Sequence, residues 1–308
     1  MLRKIGLFGI LGLLMAAAPV RLGDAFTIKL KKSGKGSVTQ HKKEETTNPR
    51  FKVVDSDGNV IKDEKKAQTS IEEYKETILA KEMGKRPTKL RRVYSKAIIK
   101  TDSKEKTLPY EGKTLLIEKK GDRYHFILEG GAELKGEDAN LLDPAFNKPD
   151  GDDSDNAEQE KVFLPKKPVA VNETWKIDPA EVIKYLWKGK QHFFPLDKSK
   201  ATAQGKLLRV YKNDGRQYGV FDIDFSVPIK GDFPLDKNEK APVQEGSKMA
   251  FRIQVDCCID GISGDGVLDS SVNIDCTMTF KTPDGQQCKV IVQAVEKSKE
   301  RTTDLSKK

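Results

Sequence analysis

The sequence predicts a mainly β protein, built as a large antiparallel meander sheet or sheets that could coil into a curved half-barrel, with one or two short helices. Three observations carry that prediction. Apolar residues alternate with polar ones in successive sets: Phe221, Ile223, Phe225, Val227 and Ile229, then Met249, Phe251, Ile253, Val255, Cys257 and Ile259, then Val272, Ile274, Cys276, Met278 and Phe280. This period of two marks strands with one buried face, which places Asp222 and Asp224 on the solvated side. Turn sequences punctuate the sets at Asn213-Asp214-Gly215 and Pro283-Asp284-Gly285, where adjacent strands can reverse. A further hairpin is expected over Thr114–Leu128, turning around Lys120-Gly121-Asp122.

Taken in chain order, the first element is a leader. Arg3 and Lys4 precede an apolar stretch from Ile5 to Ala18, and Gly23-Asp24-Ala25 stands before Phe26. That layout predicts a signal peptide over residues 1–25, cleaved after Ala25, and export to a periplasm or beyond the cell. The stretch is short for crossing a bilayer, and no transmembrane segment is expected in the mature chain. Residues 26–130 then read as an N-terminal β region. Within it, residues 70–100 carry mixed signals: Ser70 and Glu73 would suit a capping box, and Leu90, Val93, Tyr94, Ala97 and Ile98 have helical spacing. The β-rich surroundings favour strands there. Residues 131–160 read as an acidic surface linker, with Asp150, Asp152, Asp153, Asp155, Glu158 and Glu160 crowded together.

The C-terminal β region covers 161–300, followed by a polar tail, 301–308. A short helix should open at Asp178, where Asp178, Pro179 and Glu181 supply an N-cap, a first-turn proline and a capping-box acid, and run to about Trp187 with Val182, Tyr185 and Leu186 on one face. Gly205–Lys212, the three alternating sets and Val290, Val292 and Ala294 then make a five-strand meander. Trp175 and Trp187 are expected in the core or as staples. The motif Phe194-Pro195-Leu196-Asp197-Lys198 recurs at Phe233-Pro234-Leu235-Asp236-Lys237, which suggests paired loops at one end of the sheet and, as an alternative, a docking surface.

The stretch from Leu164 to Trp175, with Pro165, Pro168, Val169 and Val171 at fixed spacing, resembles an L-P-x-x-P-V-x-V-x-x-x-W signature of uncharacterised exported bacterial β-proteins. Pro87-Thr88-Lys89-Leu90-Arg91-Arg92-Val93-Tyr94-Ser95-Lys96-Ala97 and the hairpin opening Tyr110–Thr114 resemble further elements of such chains. Asn172 stands where those chains commonly have glycine, a substitution that still permits a turn. The resemblance implies export and a β fold, and some such families look like the curved, lipid-carrying sheets of periplasmic lipoprotein carriers. It implies no activity.

The chain has 308 residues, a formal net charge of +9 and charged residues of both signs at 33%. The strongest single-sign feature is a basic cluster, from which Lys85, Arg86, Lys89, Arg91 and Arg92 form a candidate anion-binding patch for a lipid headgroup or an anionic envelope polymer. Export, and the lack of interleaved aromatic residues beyond Tyr94, argue against nucleic acid as a partner. His41, His125 and His192 stand alone, with His125 on the face of its strand opposite Tyr124 and Phe126. No nucleophile elbow, zinc-helix, Walker or dinucleotide motif occurs, and no cofactor is expected. An EF-hand starting at Asp150 fails because Asp155 stands where glycine is needed and Lys161 where a glutamate is needed.

The four cysteines crowd into the last three strands. In a simple meander Cys257, Cys276 and Cys288 share the buried face, with Cys258 pointing the other way; Cys288 faces about Phe280 and Cys257 about Leu268, beyond bonding reach of Cys276. Thiols are therefore expected. The leading functional expectation is an exported, non-catalytic β-protein that binds an amphipathic or anionic envelope ligand, or a protein partner. A scaffold using the repeated loops and Cys258 is the second reading, and a carboxylate-dependent hydrolase the third.

Overall fold

The structure is a computed structural model that describes residues 23–102, 104–142, 146–147, 157–186, 194–234, 240–282 and 285–306. Trp187, His192, Asp150, Asp152, Asp153, Asp155, Pro283 and Asp284 of the last expected turn, the Leu235–Lys237 part of the second loop copy and most of the expected leader lie outside the described residues. The N-terminal strands are β1 (Ala25–Phe26), β2 (Val38–Val54), β3 (Val60–Lys65), β4 (Gln68–Lys81), β5 (Pro87–Thr101), β6 (Lys104–Thr107), β7 (Thr114–Lys120) and β8 (Arg123–Leu128). Helices α1 (Glu137–Asn140) and α2 (Ala157–Phe163), strands β9 (Val169–Ala170) and β10 (Thr174–Lys176), and helix α3 (Pro179–Leu186) follow. The C-terminal strands are β11 (Thr202–Asn213), β12 (Arg216–Pro228), β13 (Asp232–Pro234), β14 (Lys240–Pro242), β15 (Lys248–Cys258), β16 (Gly266–Lys281) and β17 (Gln287–Asp304).

The expected meander is present: β11, β12, β15, β16 and β17 pair as neighbours in chain order, all antiparallel. Asp214 and Gly215, both with positive φ (49° and 75°), form the two-residue turn that matches the twist of a hairpin. A second meander runs β2, β4, β5, β7, β8. The ambiguous residues 70–100 are thus strands, because Ile71 and Tyr74 find partners on both sides, in β2 and β5. The two meanders join where β17 pairs with β2, from Lys289 opposite Val54 to Asp304 opposite Thr39. The result is one 13-stranded sheet, with β3 and β6 as side branches, and it does not close into a barrel.

One face of this sheet, here the inner face, carries both apolar clusters. The C-terminal cluster centres on Leu207, Phe221, Ile223, Phe225, Val227 and Phe251. Trp175 closes it from β10, opposite Gly205, donating its indole N–H to the Phe163 carbonyl at 2.9 Å. Helix α3 adds Val182 and Ile183, and its start is capped as expected, the Ala180 amide donating to the Asp178 carboxylate at 2.9 Å. The N-terminal cluster contains Tyr74, Leu90, Tyr94, Tyr110, Leu115, Ile117 and Phe126.

Several expectations need correction. Residues 131–160 are not simply a surface linker, since Leu134, Leu142 and Phe146 are buried in the N-terminal cluster; their apolar side chains cover the end of the second meander. The polar tail starts later than 301, because β17 continues to Asp304. Its last third is polar on both faces and so lacks a period-two signal, but the equally polar start of β2 completes its hydrogen bonds. Asp222 is 6% exposed rather than solvated. Arg252 and Gln254 of β15 lie against its carboxylate, the latter at 2.8 Å, which satisfies the charge that burial would otherwise penalise. Cys258 is also buried, at 1%. The strand ends there, and the loop that follows folds back, with Asp260 accepting the Cys258 thiol at 2.9 Å. All four cysteines are free. Cys288 faces Phe280, whereas Cys257 faces Gly266, two residues from the expected Leu268.

Candidate ligand pocket

Tracing the register across the inner face exposes a chemical gradient. One row reads Phe221, Val255, Leu268, Glu300, Lys43, Glu72 and Ala97; the next reads Gly219, Cys257, Gly266, Thr302, His41, Tyr74 and Tyr94. The face is therefore apolar in β12, β15 and β16, charged in β17, β2 and part of β4, and apolar or aromatic again in β5. A pocket of about 480 Å³ lies over the first boundary. Its apolar wall includes Phe221, Ile223, Ile253, Val255 and Leu268; its polar wall includes His41, Glu76 and Glu300.

The segment before β2 forms the roof. Lys29 bridges to Asp260, its amide donating to the Ile259 carbonyl at 2.9 Å. Leu30 and Lys31 then enter the pocket lining, and Lys31 pairs with Asp304. The side chain of Asp304 is only 4% exposed. Burial works to raise its pKa, but the Lys31 ammonium and the amides of Gly264 and Ser306 hold it well below the usual carboxylate range. This clamp ties the end of the last strand to the chain segment over the pocket.

The polar wall continues into a connected network. His41 Nδ1 lies 2.8 Å from Glu300 and its Nε2 2.8 Å from the Thr39 hydroxyl, and the imidazole stacks on Tyr74 with centroids 4.9 Å apart. Burial alone would raise the Glu300 pKa; the hydrogen bond and charge of His41, with Lys43 and Arg92, lower it instead. Beyond Tyr74 come Tyr94 and Tyr110, at 5.1 and 4.6 Å centroid spacing, with the Tyr110 hydroxyl 2.9 Å from Glu72. Burial pushes the Tyr94 hydroxyl up to about 12. Arg92 crosses this ladder, 4.3 Å above the Tyr74 ring, and bonds Glu76 at 2.8 Å. Burial works against its charge, yet Tyr74, Tyr94 and Glu76 together keep the guanidinium protonated.

The structure disperses the five basic residues picked out in sequence. Arg92 and Arg86 belong to the inner side, where both lie near Phe146, Arg86 also facing the Tyr124 ring at 5.4 Å and donating to the Phe146 carbonyl at 3.0 Å. Lys89 and Arg91 point to the outer face, Lys89 paired with Glu118 at 2.8 Å and Arg91 exposed. Lys85 sits in the turn after β4, 2.6 Å from Glu82. Strand alternation splits neighbours in sequence onto opposite faces, so no single surface gathers all five. His125 is paired with Glu133 at 2.5 Å on the outer side of β8. The His41 site was not legible in the sequence, because its partners Glu300 and Tyr74 come from strands brought beside it only by the β17–β2–β4 pairing.

The described parts of the two loop copies touch through their first residues, the Phe194 and Phe233 rings packing with centroids 5.6 Å apart. Asn172, at φ 70°, makes the left-handed turn before Trp175, its amide donating to the Leu207 carbonyl at 2.7 Å.

No family model matches the chain, and no curated protein matches it. Among solved structures, an outer membrane channel from Pseudomonas putida F1 aligns over 92% of this chain and 100% of that one, at 8% identity and a TM-score of 0.18. The P. putida toluene transporter TodX aligns over 89% and 91%, at 8% identity and a TM-score of 0.17. Pseudomonas aeruginosa OpdQ aligns over 88% and 98%, at 9% identity and a TM-score of 0.18. At such scores the likeness carries no argument about this chain.

Proposed function

We propose that the chain is an exported, non-catalytic binding protein that takes an amphipathic molecule into the pocket between the two halves of its sheet. The observation that supports this reading is the composition of that pocket: about 480 Å³, within the range of small-molecule sites, with an apolar wall from β12, β15 and β16 facing a charged wall from β17, β2 and β4. An apolar chain would lie along Val255 and Leu268, and its polar end would face His41 and Glu300. The leader-like start of the sequence supports export. No catalytic motif in the sequence argues for a reaction at this site.

The experiment is native mass spectrometry of the protein produced with its own leader and purified without detergent, on the wild type and on Leu268→Trp, which fills the apolar wall. A reproducible added mass, lost on denaturation and absent from the variant, is the expected result. A wild type at its bare mass, from both the native host and a heterologous one, would overturn the reading.

A further inference from the structure

We infer that the outer face of the central strands is a docking surface for an anionic phospholipid bilayer. The inference is independent of the pocket, which opens on the opposite face. Lys297, Lys299 and Arg301 alternate along β17 and are all exposed. Their faces are set by the register, since Glu300 and Thr302 between them belong to the inner rows. Two strands away, Lys75 stands on the same outer side of β4, and three strands away Arg91 and Lys96 stand on that of β5.

Among the described residues none of these six cations makes an ion pair. Lys42 of β2 lies among them, opposite Arg301, and is matched by Glu73 at 3.2 Å. The remaining acids inside the array are Glu44 and Asp269, which stand on either side of Lys299. Six unmatched cations against two unmatched carboxylates leave the face strongly positive.

The layout distinguishes the occupant. Residues two apart on a strand are about 6.8 Å apart and neighbouring strands about 4.8 Å apart. By the register Arg91 lies level with Leu305, so the cations spread over roughly 27 Å along the strands and roughly 14 Å across them, as a two-dimensional array on a sheet surface rather than along a groove. A single-stranded nucleic acid or other linear polyanion is held by a channel, commonly with aromatic platforms, and no aromatic side chain stands at these outward positions. Four of the six cations are flexible lysines and the other two are arginines without an ion-pair partner, suited to long-range attraction toward many headgroup phosphates rather than to bidentate capture of one. Val93 stands exposed on this face, opposite Lys75, but one valine side chain is too small to anchor the protein by insertion, so the association should be electrostatic and released by salt.

The test is co-sedimentation with vesicles, using protein recovered in processed form so that the apolar stretch Ile5–Ala18 cannot itself insert. Vesicles of phosphatidylcholine alone are compared with vesicles containing phosphatidylglycerol, at low and high salt. The wild type should partition to the anionic vesicles only, with at least a tenfold loss on raising the salt. The triple variant Lys297→Gln, Lys299→Gln, Arg301→Gln should bind at least tenfold more weakly; a second triple, Lys75→Gln, Arg91→Gln, Lys96→Gln, decides the matter should the first not fold, as judged by circular dichroism. Equal binding to zwitterionic vesicles, undiminished binding by a folded variant, or binding to soluble polyphosphate without binding to vesicles would each overturn the inference.

Discussion

The two halves of the inner face solve the same packing problem by different means. The C-terminal meander fills its face with aliphatic and phenyl side chains and lays Trp175 across Gly205. The N-terminal meander also buries aliphatic and phenyl side chains, but sets among them four tyrosines and a guanidinium: Tyr74, Tyr94, Tyr110, Tyr124 and Arg92. In the first half, stability comes from area removed from water, which needs only shape. In the second, every buried hydroxyl must also find a partner, as Tyr110 does in Glu72 and Tyr124 in the Pro87 carbonyl, 2.9 Å each, because an unsatisfied buried polar group costs about 1–3 kcal/mol. The contrast teaches that one sheet face can be held by shape alone at one end and by shape together with polar pairing at the other, with a ligand-sized gap where the two meet.

The comparison can be broken or sharpened experimentally. The largest effect is expected at Gly205→Ala, since the added Cβ would stand 2.1 Å from Trp175 Cε2 and Cζ2. Displacing the indole should cost more than about 3 kcal/mol, at the upper end for overpacked cores. Urea unfolding followed by tryptophan fluorescence measures it; a loss under about 1 kcal/mol would mean that shape is not what holds this half. Arg92→Met should come next, at about 2–3 kcal/mol, because it strands Glu76 in a half-buried site and removes the cation from the tyrosine ladder. Hydrogen exchange would sharpen the result: protection lost in β4 and β5 but kept in β12 and β15 supports two separately held halves, and uniform loss would make the sheet one cooperative unit.

Acid should act mainly through the charged seam. Glu300 and Asp304 both have pKa values held below their ordinary ones. Their stabilisation is therefore complete above the unfolded carboxylate values, about 4, and is lost as pH falls through the lower folded values. Urea midpoints should drop below about pH 4, and Asp304→Asn should be weaker at pH 6 with a shallower acid loss. An unchanged acid slope in that variant would remove the Lys31–Asp304 clamp from the account. Glu296 has the opposite sign, since burial and the Glu45 charge raise its pKa. Its charged form opposes folding at neutral pH, so Glu296→Gln should raise the thermal midpoint there slightly and leave it unchanged in acid.

A smaller effect tests the pocket wall. Burial pushes the Cys257 thiol up to about 12, so little thiolate exists at pH 8 and alkylation by iodoacetamide should be at least about a hundredfold slower than for an ordinary thiol. Rapid labelling of native protein at Cys257, located by peptide mapping, would mean that the apolar wall is wetter than its packing implies.

Period-two alternation made β12, β15 and the apolar end of β16 legible, because each residue there faces either oil or water and the choice is written in its side chain. The same logic failed at Asp222 and Cys258, where the outer side is covered by Arg252 or by a returning loop. It was silent over 296–304 and 38–47, which are polar on both faces.

By itself, then, the sequence determined the β class, the hairpin turns at Asp214-Gly215 and Gly121-Asp122, the cap of α3 and the five-strand meander, since each follows from contacts or dihedrals local to a few residues. Tertiary structure alone decided that β17 pairs with β2, and that pairing set the rest. It merged two meanders into one sheet, brought His41 to Glu300 and Tyr74, opened the pocket at the seam, and redistributed a run of basic residues between two faces. Polar strands carry no hydrophobic register of their own, so only the completion of backbone hydrogen bonds between distant segments could choose it.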